Sequence, residues 1–180
     1  MKATGIVRRI DDLGRVVVPK EIRRVLRIRE GDPLEIFTNH EGEVIFKKYS
    51  PIGELAAFAA QYTETLHKTC GMAVVICDRD AVIACAGIPK KEYVDRKLSS
   101  ELEAVIENRT LYTADGKDEI AVIDGGKCYV SCAMPIITEG DLIGCVCSLS
   151  KEKDKADVPS DTEVKLIQTA ANFLSRQLES

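Results

Sequence analysis

The sequence has no tryptophan, and aromatic residues make up only 5% of its 180 residues. This scarcity disfavours a ligand pocket built by ring stacking. The chain also has no uncharged apolar run of about 18 residues, the length that a membrane-spanning helix needs. Arg8 and Arg9 come before any apolar segment typical of a secretory signal peptide. These absences exclude a membrane-spanning protein and predict a cytoplasmic one.

Motifs of common enzyme classes are lacking as well. The sequence has no GxSxG, no P-loop, no HExxH and no dinucleotide-binding glycine pattern. The run Asp124-Gly125-Gly126 precedes a strand-like segment and is typical of a turn. The sequence therefore predicts a protein that is not an enzyme and that has no cofactor.

The seven cysteines lack the patterns of a disulfide framework or a metal site. Their number is odd, no CxxC pair occurs, and no secretory signal precedes them. Cys145 and Cys147 alternate on one predicted strand and so share a face, and Cys128 and Cys132 could share another. We expect buried free thiols that act as small apolar side chains, with a metal or redox site as the alternative. Cys70 precedes a glycine and is expected to be more exposed.

Charge is distributed unevenly along the chain, although the net charge is only −4. Residues 1–29 contain nine basic and three acidic side chains, whereas residues 51–180 contain 14 basic and 21 acidic ones. Such an asymmetry indicates a segment that binds a polyanion, attached to an acidic domain with a different role.

The first fifty residues predict the order β-β-α-β-β. Turn-forming residues and Pro19 separate these elements. The predicted strands are 4–10, 15–18, 34–37 and 44–47, and the predicted helix is 20–28. A domain this small buries little core, and open strand edges pair readily with another chain. We therefore expect residues 1–50 to form an intertwined dimer.

Five arginines lie next to the predicted turns and helix end of this segment. Arg8 and Arg9 end the first strand, Arg15 begins the second, and Arg23 and Arg24 lie early on the helix. A guanidinium group binds phosphate through a planar set of donors and can read a guanine edge with two hydrogen bonds. The pattern favours a nucleic-acid surface. A solvated charged face is the alternative interpretation.

Ser50-Pro51, an N-cap followed by a proline at the first helical position, separates the predicted domains 1–50 and 51–180. The second domain predicts an antiparallel sheet with helices at both ends. A capping box of Ser160 and Glu163 begins the last helix. The predicted helices are 52–66, 98–108 and 161–178, and the predicted strands are 72–77, 81–86, 129–135 and 142–149.

Apolar residues recur at 3-4-3-4 spacing on both terminal helices, 52–66 and 161–178. Each stripe could pack on its own sheet. Its presence on both helices also allows a helical bundle with a second subunit, which would join dimers into a tetramer.

The pattern from Thr4 to Arg24, continued to Tyr49, resembles the DNA-binding domain of the AbrB family of bacterial transition-state regulators. The resemblance is ungapped over about fifty residues. It implies a swapped-hairpin β-barrel built by two interleaved chains, bound to double-stranded DNA. It also implies that Arg8, Arg15, Arg23 and Arg24 make the main DNA contacts. Lys2 and Arg9 are additional candidate phosphate contacts.

The whole chain resembles a family of sporulation regulators whose second domain is an α+β, GAF-like domain. Its length, its helix-sheet-helix order and the hairpin at residues 75–80 support the resemblance. The resemblance implies a homotetrameric, nucleoid-associated regulator of forespore genes. The GAF-like domain would sense an unknown small molecule or serve assembly alone.

An antitoxin is the alternative function, because MazE-like antitoxins use the same type of N-terminal fold. Those proteins continue into a flexible acidic tail that folds on a toxin. The segment after Ser50 instead has periodic apolar helices and strands. The sequence therefore favours the regulator.

Overall fold

The computed structural model describes residues 5–117, 119–151 and 158–179. The chain divides into two compact units, Met1–Tyr49 and Ser50–Ser180. No helix in the described ranges has the length and apolar character needed to cross a membrane.

The first unit contains one short helix and one β-hairpin. The helix α1 spans Lys20–Val25, and the strands β1 (Leu34–Thr38) and β2 (Val44–Lys48) pair antiparallel. The Asn39 side-chain oxygen accepts hydrogen bonds from the backbone N–H groups of Glu41 and Glu43, which closes the turn between the strands. The hairpin prediction is confirmed.

Helix α1 ends at Val25, three residues before the predicted end. Arg27 adopts a left-handed conformation with φ of 53°, and the N–H of Ile28 bonds back to the carbonyl of Arg23 at 2.8 Å. The Lys48 ammonium donates to the Arg27 carbonyl at 3.0 Å. The same ammonium lies 3.3 Å from the carboxylate of Asp32, whose side chain is 3% exposed. These contacts fix the end of α1 against β2.

The prediction of two strands before α1 is wrong for the single chain. Described residues 5–10 and 15–18 belong to no β-ladder, and residue 4 lies outside the described residues. A strand exists only where a neighbouring strand hydrogen-bonds to it, and apolar alternation does not supply that neighbour. Val7 and Val17 are 89% and 70% exposed as a result. Pro19 is the one buried residue among described residues 5–49, so this unit has almost no core of its own.

The second unit is a five-stranded antiparallel sheet covered by helices on both faces. Its sheet order is β4-β3-β7-β6-β5. In chain order the elements are α2 (Pro51–Glu54), α3 (Ala56–Cys70), β3 (Ala73–Asp78), β4 (Val82–Ala86), α4 (Lys90–Tyr93), α5 (Ser100–Glu107), β5 (Tyr112–Thr113), β6 (Cys128–Thr138), β7 (Asp141–Lys151) and α6 (Asp161–Leu178). The predicted antiparallel sheet with flanking helices is confirmed.

Each face of the sheet has its own apolar core because side chains alternate along a strand. On β3, Val74 and Ile76 face the core formed with α3 and α6. Val75 and Cys77 face the opposite core, which is formed with α4 and α5. The two long terminal helices therefore cover the same face of the sheet.

The predicted single helix 52–66 consists of two helices. Ser50 accepts a hydrogen bond from the N–H of Gly53 at 3.2 Å, as its predicted N-cap role requires. Helix α2 then ends after one turn, and Leu55 separates it from α3. Helix α3 continues beyond the predicted end, to Gly71 in a left-handed conformation with φ of 71°.

The capping box of α6 is confirmed in one of its two hydrogen bonds. The Ser160 hydroxyl accepts from the N–H of Glu163 at 3.2 Å. The Glu163 carboxylate instead accepts a 2.5 Å hydrogen bond from the hydroxyl of Ser148 on β7. This contact ties the first turn of α6 to the sheet, which local sequence rules do not anticipate.

All seven cysteines are free, six of them buried and Cys70 exposed, as predicted. Cys145 and Cys147 share one face of β7, with their sulfurs 3.6 Å apart. The expectation that Cys128 and Cys132 share a face is wrong, because a bulge between Val130 and Cys132 shifts the alternation. In the described residues, no group of three or more His, Cys, Asp or Glu side chains is arranged to hold a metal ion.

Candidate nucleic-acid interface

The candidate interface begins in the segment before α1. Arg8 and Arg9 are both exposed. Lys2, another predicted contact, lies outside the described residues.

Arg15 is held at the end of the turn that follows. The Asp11 carboxylate accepts hydrogen bonds from the N–H of Leu13 at 3.1 Å and from the N–H of Arg15 at 2.8 Å. It also accepts from Nε of Arg15 at 2.8 Å. The backbone N–H of Arg15 and then its guanidinium lower the pKa of Asp11 below the ordinary value of 3.8. The Arg15 side chain remains 69% exposed and is thus oriented while still accessible.

Arg23 and Arg24 lie next to each other on α1 but in different environments. Arg24 is exposed, whereas Arg23 is half-buried. The Nε atom of Arg23 is buried and has no hydrogen-bond partner in the described part of the chain. Buried donors normally have a partner, so this Nε is an exception within the unit.

The turn at Asp11 brings the segment with Arg8 and Arg9 back toward Arg15, through the hydrogen bond from Asp11 N–H to the Arg15 carbonyl at 3.1 Å. No hydrogen bond or ion pair joins Arg23 or Arg24 to these three arginines within the described residues. A single surface that gathers all the arginines therefore remains a prediction. Sequence reasoning missed the Asp11–Arg15 ion pair, although its i,i+4 spacing across a turn was a usable signal.

A cluster of three aromatic rings lies on the helices that cover the second unit. Phe58 and Tyr62 on α3 stack with ring centroids 6.1 Å apart, and Tyr62 and Phe173 on α6 stack at 5.7 Å. Phe173 is 40% exposed. Partial burial raises the pKa of Tyr62. Tyr62 lies within the predicted helix 52–66, but the cluster has no signal in the sequence of one segment, because its third ring comes from the other end of the domain.

The second unit has the GAF fold. It is similar to the GAF domain of a phosphoenolpyruvate-protein phosphotransferase (ptsP) from Coxiella burnetii, with a TM-score of 0.52 and 15% identity over 69% of this chain and 82% of that one. The first unit is similar to the transition state regulatory protein AbrB of Bacillus subtilis (strain 168). The identity is 59% over 51 residues, which are 28% of this chain and 52% of that protein. An AbrB-like unit followed by a GAF-like unit defines a two-domain transcription regulator.

Two further matches identify the family. The family described as stage V sporulation protein T C-terminal, transcription factor, matches residues 54–179. Stage V sporulation protein T of Bacillus subtilis (strain 168) is 49% identical over 181 residues, or 99% of both chains. The chain therefore belongs to the stage V sporulation protein T family of transcription factors. The family described as antidote-toxin recognition MazE, bacterial antitoxin, matches residues 7–53 only.

Proposed function

We propose that two chains combine residues 1–50 into one basic body that binds double-stranded DNA, while residues 51–180 assemble the chains and respond to a small ligand. The proposed DNA contacts are Lys2, Arg8, Arg9, Arg15, Arg23 and Arg24. The target genes would be sporulation genes of the forespore. The protein would act in the cytoplasm, on the DNA of the nucleoid. Membership of a transcription-factor family supports a regulator rather than an enzyme.

One observation carries the DNA-binding proposal: Arg8, Arg9, Arg15 and Arg24 are all exposed on a unit of 49 residues. Exposed guanidinium groups bind phosphate without first breaking buried contacts. Arg15 is already oriented by Asp11, which reduces the entropy lost on binding. Arg23 is half-buried, and it would contact DNA through the exposed part of its side chain.

The absence of a core in described residues 5–49 supports a dimer of the first unit. Val7, Ile10 and Val17 are at least 70% exposed, and β1 and β2 form only a two-stranded sheet with open edges. Exposed apolar residues and open edges favour pairing with a second chain. A two-fold dimer presents each arginine twice, so we expect pseudo-palindromic DNA sites whose spacing is fixed by the dimer.

The DNA-binding proposal predicts a strong dependence of affinity on salt. Each neutralised phosphate contributes about −0.9 to the slope of log K against log salt, so four to eight contacts give a slope near −4 to −7. We expect Arg15→Ala and Arg24→Ala each to weaken binding of a duplex probe and to reduce the slope by about 1 or more, since a dimer loses two side chains. Fluorescence anisotropy at several salt concentrations measures both quantities.

Arg96→Ala, which removes an exposed arginine of the second unit, is the matched control and should leave the affinity and slope unchanged. Circular dichroism verifies that each variant is folded. An unchanged slope in both first-unit variants removes Arg15 and Arg24 from the contact surface.

The antitoxin alternative has less support. The MazE-type match stops at residue 53, whereas the stage V sporulation protein T match covers 54–179. A tail that folds only on a toxin would be digested rapidly by protease in the absence of partner. We expect limited proteolysis to leave an intact fragment of residues 50–180, because this unit has two apolar cores.

A further inference from the structure

A groove of about 510 Å³ opens at strand β4, which is an edge strand of the sheet in the second unit. Its lining includes Ala60, Ile83, Cys85, Lys91, Val94 and Asp95. Helix α3 supplies one wall, and the segment that begins with α4 supplies the other. The volume lies in the range of small-molecule sites. The groove differs from the core between the sheet and α5, which buried side chains fill.

The two walls of the groove are joined by an ion pair. Nζ of Lys90, which lines the groove from α4, lies 2.6 Å from the carboxylate of Glu64 on α3. Glu64 lies one helical turn after the lining residue Ala60, so the pair spans from wall to wall. The hydrogen bond to Glu64 raises the pKa of Lys90, and the hydrogen bond to Lys90 lowers the pKa of Glu64. Both groups are charged at neutral pH. Glu64 also pairs with Lys68 of its own helix at 3.5 Å, so its charge is shared between two lysines.

Two further charges line the groove without such partners. Lys91 and Asp95 are exposed, and neither side chain makes a hydrogen bond or ion pair within the described part of the chain. The backbone holds Asp95 in a left-handed conformation with φ of 62°. The N–H of Asp95 donates to the carbonyl of Val82 at 2.9 Å, and the N–H of Val82 donates to the carbonyl of Arg96 at 3.0 Å. The Asp95 backbone is therefore fixed against the edge strand.

The opposite charges of Lys91 and Asp95 favour ligands that carry both an anionic and a cationic group over ligands that carry one charge. A simple anion that pairs with Lys91 leaves the Asp95 carboxylate unpaired, and a simple cation that pairs with Asp95 leaves the Lys91 ammonium unpaired. A ligand with both charges can pair with both residues. The side chains of Ile83 and Val94 offer apolar contact for a hydrocarbon part.

We propose that this groove binds a small dipolar ligand, with an ammonium group and a carboxylate on an apolar body, of the kind that a free amino acid with an apolar side chain represents. Lys91 pairs with its carboxylate and Asp95 with its ammonium. Ile83 and Val94 contact its hydrocarbon part.

Binding in the groove does not depend on the proposed function, but its regulatory consequence rests on it. Ala60 lines the groove from α3, and Phe58 and Tyr62 of the same helix belong to the aromatic cluster. A ligand against α3 can therefore favour one position of the helix that carries the proposed assembly surface. Only α2, with four residues, and Leu55 separate helix α3 from the domain boundary at residue 50.

The test compares three probes of similar shape on the full-length protein: L-phenylalanine, 3-phenylpropanoate without the ammonium, and 2-phenylethylamine without the carboxylate. Methyl NMR detects binding, because the aromatic ring shifts the methyl signals of Ile83 and Val94. We expect saturable shifts with L-phenylalanine, and at least about threefold weaker binding of each singly charged probe, as the loss of one exposed ion pair implies. Signals of Ile167, in the core with α6, serve as the reference.

Lys91→Gln and Asp95→Asn should weaken L-phenylalanine binding by a similar factor, and asparagine keeps the left-handed backbone accessible. Lys117→Gln, at an exposed site away from the groove lining, should not. Equal binding of all three probes, no saturable shift, or the largest shifts at the methyls of Val122, which is fully buried in the core with α5, would each overturn the proposal. If L-phenylalanine binds but leaves DNA affinity unchanged, the site stands and its regulatory role is refuted. The effect of Arg15→Ala on DNA binding tests the proposed function alone, and it is independent of ligand binding in the groove.

Discussion

Six cysteine thiols lie inside the second unit among mainly apolar side chains. Burial raises the pKa of Cys132 to about 12, and burial also raises the pKa of Cys145. The thiolate is the reactive form of cysteine, so a buried thiol with a raised pKa reacts slowly. Hydrogen bonds with Cys145 and Cys77 lower the pKa of Cys147, but its complete burial keeps reagents away from its sulfur. The six buried thiols therefore act as small packing groups, and Cys70 on the surface is the exception.

This difference predicts the reactivity of the native protein toward Ellman's reagent. We expect one thiol per chain to react within minutes at pH 8, and the other six to react only after unfolding in guanidinium chloride. Cys70→Ser should abolish the fast phase and preserve the slow one. Two or more fast thiols in the native protein would contradict the burial of the remaining six.

At the scale of elements, Gly144 controls how closely β7 approaches β3. It pairs with Asp78, and a Cβ atom at this position would lie far inside contact distance of the Cys77 carbonyl oxygen. That oxygen belongs to the backbone of a central strand and has no room to move. Any side chain at residue 144 therefore separates two strands at the centre of the sheet.

We expect Gly144→Ala to destabilise the protein by about 3 kcal/mol or more, since overpacking displaces backbone as well as side chains. Gly71→Ala is the matched control. Its Cβ would meet open space, so only the left-handed backbone opposes it, at a cost of about 1–2 kcal/mol. Chemical denaturation of the two variants measures the difference. Equal losses would show that the strands can separate at residue 144.

The elements that the sequence predicted well have local signals. Ser50 and Ser160 begin helices because a hydroxyl followed by a suitable first turn satisfies a free N–H. Strands β3 and β4 carry short apolar runs with β-branched residues. Helix α4 and strand β5, with four and two residues, are too short for a periodic signal and were missed. The bulge before Cys132 depends on the pairing of two strands, which no single segment encodes.

The candidate sites also divide into those with a signal in one segment of the sequence and those that only the fold creates. The exposed arginines were identified from charge density and from a long ungapped resemblance, both of which are properties of one segment. The groove at β4 was not predicted, because Ala60, Lys91 and Asp95 come from separate elements and become neighbours only in the fold. The buried Nε of Arg23 likewise follows from packing and not from sequence spacing.

The aromatic cluster of Phe58, Tyr62 and Phe173 is the strongest candidate for an assembly surface of the second unit. Its three rings come from the two helices, α3 and α6, that cover one face of the sheet. Phe173 is 40% exposed, and exposed aromatic groups are enriched at the centres of interfaces. This location agrees with the proposed tetramer, in which helices 52–66 and 161–178 join two dimers.

We expect Phe173→Glu to halve the mass of the full-length protein measured by light scattering, because a charge at the centre of an apolar contact opposes burial. Val158→Glu adds the same charge at a residue that is 69% exposed and should leave the mass unchanged. Circular dichroism checks that both variants fold. A Phe173→Glu protein with the wild-type mass would exclude the aromatic cluster from the interface.

The lack of a core in described residues 5–49 has a consequence for how this protein responds to its own abundance. A DNA-binding body that two chains must complete forms in proportion to the square of the chain concentration, and it is lost on dilution. If the second units associate through their own surfaces, they hold the first units of two chains at a high effective concentration. The DNA-binding dimer then forms without a diffusive encounter between separate chains. The well-packed second unit would then set the copy number at which the first unit begins to occupy its DNA sites.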